Sequence, residues 1–165
     1  MRFSRVRTHK IIILSSLLFV FEIICAAPLT MAQSESDKAT INRFISQQAK
    51  RERATEYEEA RSIVKGDLNA DSAEDAVVLY TIEGQGGSNQ YLQYLAVFIN
   101  RKGKLVYLTH QVVGGKNRRS IDSVSIKDGK INLQTLEYLS TDASCCPSKK
   151  GQMTFILSGG RLKKI

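Results

Sequence analysis

The segment Tyr91 to Ile99, YLQYLAVFI, is apolar on both faces of an extended chain, with Leu92, Tyr94, Ala96 and Phe98 on one side and Tyr91, Leu95, Val97 and Ile99 on the other. A strand of this kind must be central in its sheet and covered above and below. The rest of the chain has to supply both covers. Strand patterns separated by turn residues fall near Ala60–Lys65, Asp75–Glu83, Tyr91–Asn100, Leu105–Val113, Ser120–Ile126, Ile131–Tyr138, Gly151–Leu157 and Arg161–Lys164. The intervening segments Gly84–Asn89, Arg101–Lys104, Gly114–Arg119, Lys127–Lys130 and Ser158–Gly160 are short enough to be hairpin turns, so neighbouring strands are expected to pair antiparallel. In the last long strand Met153, Phe155 and Leu157 alternate with Gln152, Thr154 and Ile156.

Only one helix is expected. Ser36 or Asp37 can cap it, Ile41, Phe44 and Ile45 share a face, and Gln47, Gln48, Lys50 and Arg51 oppose them. Gln33–Lys38 reads as a flexible lead-in and Arg53–Glu59 as a fraying end. One helix cannot cover a sheet of about seven strands, so the sheet must curl on itself or fold into two layers. The expected fold is α+β, with an N-terminal helix and then a curved, mainly antiparallel meander.

Residues 1–32 read as a secretory signal: Arg2, Arg5, Arg7 and Lys10 precede the apolar run Ile11–Ile24, and Thr30-Met31-Ala32 offers a cleavage site. The run is shorter than the ~20 apolar residues of a membrane span and carries Glu22. Bulky Ile24 before Cys25 disfavours lipidation. The mature chain then divides into a polar start plus helix, 33–59, and an antiparallel β region, 60–165, forming one domain. It keeps 20 of the 24 basic and 15 of the 16 acidic residues, a net charge of +5. The basic residues are scattered and no aromatic-interleaved basic motif occurs, which with export argues against nucleic acid. The location expected is periplasmic or secreted, without a stable membrane span after cleavage. The partner expected is an envelope or extracellular protein or polymer.

The stretch Gly66–Tyr80, GDLNADSAEDAVVLY, places oxygens at Asp67, Asn69, Asp71, the carbonyl of Ala73 and Asp75, the alternation by which a loop wraps a hard cation. Val78 stands where an EF-hand has its bidentate acid. A strand follows, and the segment resembles the aspartate-rich loop of FG-GAP and VCBS repeats, D-x-N-G-D-G-x-x-D-hydrophobic. That resemblance implies Asp67, Asn69, Asp71 and Asp75 as Ca2+ ligands at a strand-to-strand corner. Ala70 and Ser72 replace the usual glycines, and a left-handed Ser72 costs roughly 1 kcal/mol. The expected affinity is the weak range of roughly 0.1 to 1 mM. The alternative is an Asx-rich turn whose carboxylates accept backbone N–H groups without metal. A single copy does not make a propeller.

Cys145 and Cys146 are the only cysteines beyond the signal. The heptad Asp142–Ser148, DASCCPS, resembles a D-A-x-C-C-P-S segment of small exported bacterial proteins, with further similarity from the aspartate loop to the C-terminus. Adjacent Cα atoms lie ~3.8 Å apart across a trans peptide, against 4.4–6.8 Å in ordinary disulfides. A ring here is expected to be strained and readily reduced. It fixes a loop, acts as a redox or soft-metal dithiol, or pairs between molecules.

His110 is the one histidine left after cleavage, on the pattern Val106, Leu108, His110, Val112, and reads as a half-buried strand residue. No Gly-x-Ser-x-Gly, His-Glu-x-x-His or phosphate loop occurs. Glu137 with Asp142, and Glu83 with Asp75, are the acid pairs available, and nothing in the sequence sets either across a substrate. The expectation is a non-catalytic module. The alternatives are a hydrolase inhibitor presenting Gly84–Asn89 or the cysteine loop, and a vicinal-dithiol protein.

Overall fold

The computed structural model describes residues 26–165, with side-chain surroundings from Gln33 onward. The signal features Arg2 to Cys25 lie outside the described residues. The chain divides into two units, Met1–Glu35 and Ser36–Ile165. The described part of the first is helical, the N-terminal portion of α1 (Ala26–Glu52).

The second unit holds the rest of α1 and eight strands: β1 (Thr55–Gly66), β2 (Asp75–Glu83), β3 (Tyr91–Arg101), β4 (Lys104–Gly115), β5 (Ser120–Lys127), β6 (Lys130–Glu137), β7 (Lys149–Ser158) and β8 (Arg161–Lys164). The α+β class holds, but the single curved sheet does not. Two four-stranded antiparallel sheets form instead, β1-β2-β3-β4 and β5-β6-β7-β8. Gln33–Lys38 is helical rather than flexible, because no glycine or proline interrupts the chain between Pro28 and Ile41.

The anticipated fraying at Arg53–Glu59 is also overturned. Arg53 is left-handed (φ 52°), its N–H reaches the Lys50 carbonyl at 3.2 Å, and the Ala54 N–H reaches that of Ala49 at 3.0 Å. This pair of bonds is a Schellman closure. β1 begins at once, and its charges suit an edge strand, whose outer border meets water.

The reason for two sheets lies at Gly114-Gly115, read from sequence as the start of a hairpin turn. A Cβ on Gly114 would stand 2.6 Å from Gln93 Oε1 and 2.7 Å from the Arg119 carbonyl. One on Gly115, at φ 140°, would stand 2.6 Å from the Tyr91 carbonyl. Only glycine allows this approach. The buried Gln93 amide accepts from the Ile121 N–H at 2.8 Å and donates to the Ile121 carbonyl at 3.2 Å, taking the place of a sheet partner. β5 therefore leaves the first sheet and starts the second.

The sheets pack face to face through Val77, Leu79, Leu95, Val97 and Ile99 from one and Ile131, Leu133, Met153 and Phe155 from the other. The outer face of the first sheet carries Val78, Tyr80, Tyr94, Ala96 and Phe98 beneath Ile41, Ile45 and Ala49 of α1. β3 is thus covered on both faces, by the second sheet and by the helix, as its composition demands. The α1 stripe repeats every four residues, and the second unit is layered helix, sheet, sheet.

Candidate functional site

β2 runs from the aspartate loop to the glycine loop, so the two loops lie at opposite ends of the first sheet. Nine extended residues separate them by roughly 25 Å.

At the aspartate end, Asp67 collects backbone donors: its Oδ1 accepts from Asn69 at 3.1 Å, Ala70 at 2.7 Å and Asp71 at 3.3 Å, and its Oδ2 from Ser72 at 2.9 Å. The Ser72 N–H first, with the others behind it and a smaller opposing desolvation, holds this carboxyl below the usual carboxylate range. Asp71 Oδ1 accepts from the Ala73 N–H at 2.8 Å, and the Asn69 amide donates to Asp71 Oδ2 at 2.8 Å. Both glycine-replacing positions are left-handed, Ala70 at φ 62° and Ser72 at φ 65°. The chain accepts the cost of two residues in that region because Asp67 draws the loop closed.

Asp75 does something else. It is fully buried, with Oδ2 accepting from Leu68 N–H at 3.0 Å and Oδ1 from Asn100 N–H at 2.9 Å. It fastens the loop to the end of β3. Asp67, Asn69 and Asp71 gather on the exposed loop, while Asp75 faces inward. Among the described residues no three His, Cys, Asp or Glu side chains form a metal-holding group.

At the other end three connections meet. The Lys116 ammonium donates to the Asn89 carbonyl at 3.3 Å and its N–H to that of Tyr91 at 3.1 Å, joining the glycine loop to the β4–β5 corner. An open cleft of about 430 Å³, lined by Asn117, Arg118, Arg119, Glu137, Tyr138 and Ser144, joins that corner to the cysteine loop. Tyr138 OH donates to the Ser144 carbonyl at 2.7 Å. Asp142 accepts from the N–H groups of Leu139 at 2.8 Å and Ser148 at 2.9 Å, and from the Ser148 hydroxyl at 2.8 Å. The Leu139 bond leads in holding Asp142 below the ordinary carboxylate range. Cys145 and Cys146 are disulfide-bonded to each other, Cα to Cα 3.8 Å, and exposed.

The acid pairs separate. Glu137 binds Arg119 Nε at 3.0 Å and receives the Thr135 hydroxyl at 3.2 Å, whereas Asp142 serves its own loop. Asp75 and Glu83 stand at opposite ends of β2. Sequence reading missed the Arg119–Glu137 pair, because Arg119 and Glu137 lie in strands or turns that meet only through sheet pairing and the corner.

His110 is half-buried on β4, yet not on the expected face. The β3–β4 register shifts between Val97 and Phe98, opposite Leu108, so Tyr107 and His110 share the helix side. His110 Nδ1 lies 2.7 Å from the Tyr107 hydroxyl, and Phe44 stacks on Tyr107 at 4.2 Å. Burial lowers the His110 pKa, opposed by Glu52 and assisted by Arg51. A folded pKa below the unfolded value of ~6.5 means that the unfolded chain takes up the proton first. Stability is therefore expected to be fully present above pH ~6.5 and to fall as pH drops through that value toward the lower folded pKa. Urea midpoints between pH 7.5 and 5 should fall more for the native chain than for His110→Gln, and parallel curves would remove His110 as the cause.

Compared with family models, with curated proteins and with solved structures, the chain finds no match.

Proposed function

We propose that this chain is an exported, non-catalytic interaction module, periplasmic or secreted, that engages an envelope or extracellular partner through the end bearing Gly84–Asn89, Lys116–Arg119 and the cysteine loop. The observation that carries the reading is that Lys116 ties the glycine loop to the β4–β5 corner and Arg119 of that corner pairs with Glu137 at the foot of the cysteine loop, which Tyr138 and Asp142 close on itself. A surface fixed before contact loses less conformational entropy on binding. Covalent capture from envelope extract tests this. A stoichiometric partner should be retained by Asp128→Lys, near the aspartate end, and lost on Asn117→Trp, at the cleft. Retention by both variants would refute the assignment of that end. If the captured partner is a hydrolase whose activity falls on binding, the module is an inhibitor, a second reading favoured by the glycine and cysteine loops sharing one end.

The aspartate loop at the far end serves as a corner clip that takes Ca2+ weakly. The residues that would hold it are Asp67, Asn69, Asp71 and the Ala73 carbonyl on the exposed loop, with Asp75 behind them. Asp75 already receives two N–H bonds, and the Asn69–Asp71 bond competes with an ion. Both features agree with an affinity of roughly 0.1 to 1 mM. Calcium at about ten times its dissociation constant is expected to raise the melting temperature by about 5 °C, and magnesium or chelator to leave it unchanged. Asp71→Ala should abolish the rise. Superimposed curves in all three conditions would refute the ion and leave an Asx-rich clip.

A further inference from the structure

The cleft at the loop end has an unbalanced charge pattern. Arg119 is neutralised: its Nε faces Glu137 at 3.0 Å and its Nη1 lies 2.7 Å from Met153 Sδ. Both acids nearby are already engaged, Glu137 by Arg119 and Thr135, and Asp142 by Leu139 and Ser148. Arg118, exposed on the cleft wall, has no acid partner among the described residues. Lys149 stands directly across from Glu137 in the β6–β7 register and forms no ion pair among the described residues. The rim is therefore basic, and its acids do not compensate Arg118.

The donors suit one kind of ligand group. A guanidinium offers a planar fork of N–H donors that matches a carboxylate, and Asn117 and Ser144 add an amide and a hydroxyl to the cleft lining. The cleft holds about 430 Å³, within the roughly 300 to 1,000 Å³ of ligand pockets, but it is open to solvent, which suits a side chain presented by a partner surface rather than an enclosed small molecule. A long polyanion is better matched by an extended basic track than by one short concavity. Resting on the interaction-module reading, we propose that this cleft receives a carboxylate side chain from an acidic segment of a protein partner, with Arg118 as its principal contact.

The test is an NMR titration of the isotope-labelled protein at low salt with acetylated, amidated hexaglutamate. Shifts are expected at Asn117, Arg118, Tyr138 and Ser144. Arg118→Glu is expected to weaken binding about tenfold or more, the effect of losing a charge-assisted hydrogen bond. Lys163→Glu, on β8 across from Ile156 near the far end of β7, makes the same change in net charge and should weaken it far less. Equal loss with both variants, or equal binding of the hexaglutamine peptide, would overturn the proposal. Tighter binding of dextran sulfate that is equally lost on Arg118→Glu would also overturn it, by assigning the cleft to anionic polymers. Arg118 is exposed, so an unchanged melting temperature of Arg118→Glu separates lost binding from lost fold. An envelope partner captured equally by native chain and Arg118→Glu would refute the cleft and leave the module reading standing. Absence of any captured partner would count against the module reading, while the peptide titration still decides the cleft.

Discussion

Asp75→Ala is expected to lower the unfolding free energy by about 3–5 kcal/mol, a large share of the 5–15 kcal/mol typical of a domain. The carboxylate is fully buried and accepts one N–H on each oxygen, from Leu68 at 3.0 Å and from Asn100 at 2.9 Å. Alanine leaves both donors without their acceptor in a site that water does not reach. It also unfastens the β1–β2 loop from the end of β3, where the Asn100 amide additionally donates to the Glu74 carbonyl at 3.3 Å. Asp75→Asn keeps one carbonyl oxygen and should lose roughly half as much. Asp71→Ala removes an exposed carboxylate and should cost less than about 1 kcal/mol in chelator. Urea unfolding of the three variants decides between a clip and a metal ligand. If Asp75→Ala costs no more than Asp71→Ala without calcium, the buried clip is not what holds the corner.

Phe98→Ala is expected to cost a further independent 3–5 kcal/mol. Phe98 is fully buried between β2, β4 and α1, with its ring edge-on to Phe44 at 5.6 Å and to Tyr107 at 6.0 Å. Removing it opens a cavity under the helix rather than between the sheets. The two layers of core should therefore respond differently. In native-state hydrogen exchange, amides of Ile41–Ala49 should lose protection before those of β6 and β7 do. A loss below about 1 kcal/mol, or equal deprotection of both layers, would mean that the helix is not anchored through this ring.

How far the chain could be read from residues alone depends on the range of the interaction concerned. β2 and β8 have the bounds that their patterns implied, β1 begins five residues before its expected start at Ala60, and the other strands differ by one or two residues at their ends. Period-two alternation and turn chemistry are local, so Met153 and Phe155 point inward as expected. The apolar faces of β3 required two covers, and two were found. The helix stripe of Ile41 and Ile45 was equally legible, but the helix boundaries were not. Its end depends on Arg53 entering the left-handed region, which no residue type at that position announces. The bulge at Leu108 reversed the face of His110, because one extra residue shifts every later side chain.

The candidate sites divide in the same way. The aspartate spacing already implied a tight loop, and Asp67 closes it with four neighbouring N–H groups within five residues. The vicinal cysteines could pair with each other for the same reason of proximity. By contrast, the inward role of Asp75 depends on Asn100, and the cleft brings Arg118 beside Tyr138 and Ser144. Those partners are distant in sequence.

The amino-acid sequence by itself determined where the chain is extended, which faces are apolar and where it turns, since these follow from side chains a few residues apart. Only the tertiary structure decided that eight strands form two sheets rather than one. At the corner, the Gln93 side chain satisfies the backbone of Ile121 from 28 residues away, and Gly114-Gly115 lets the backbones approach. Which distant group satisfies an unpaired N–H is a property of packing, and no local pattern encodes it.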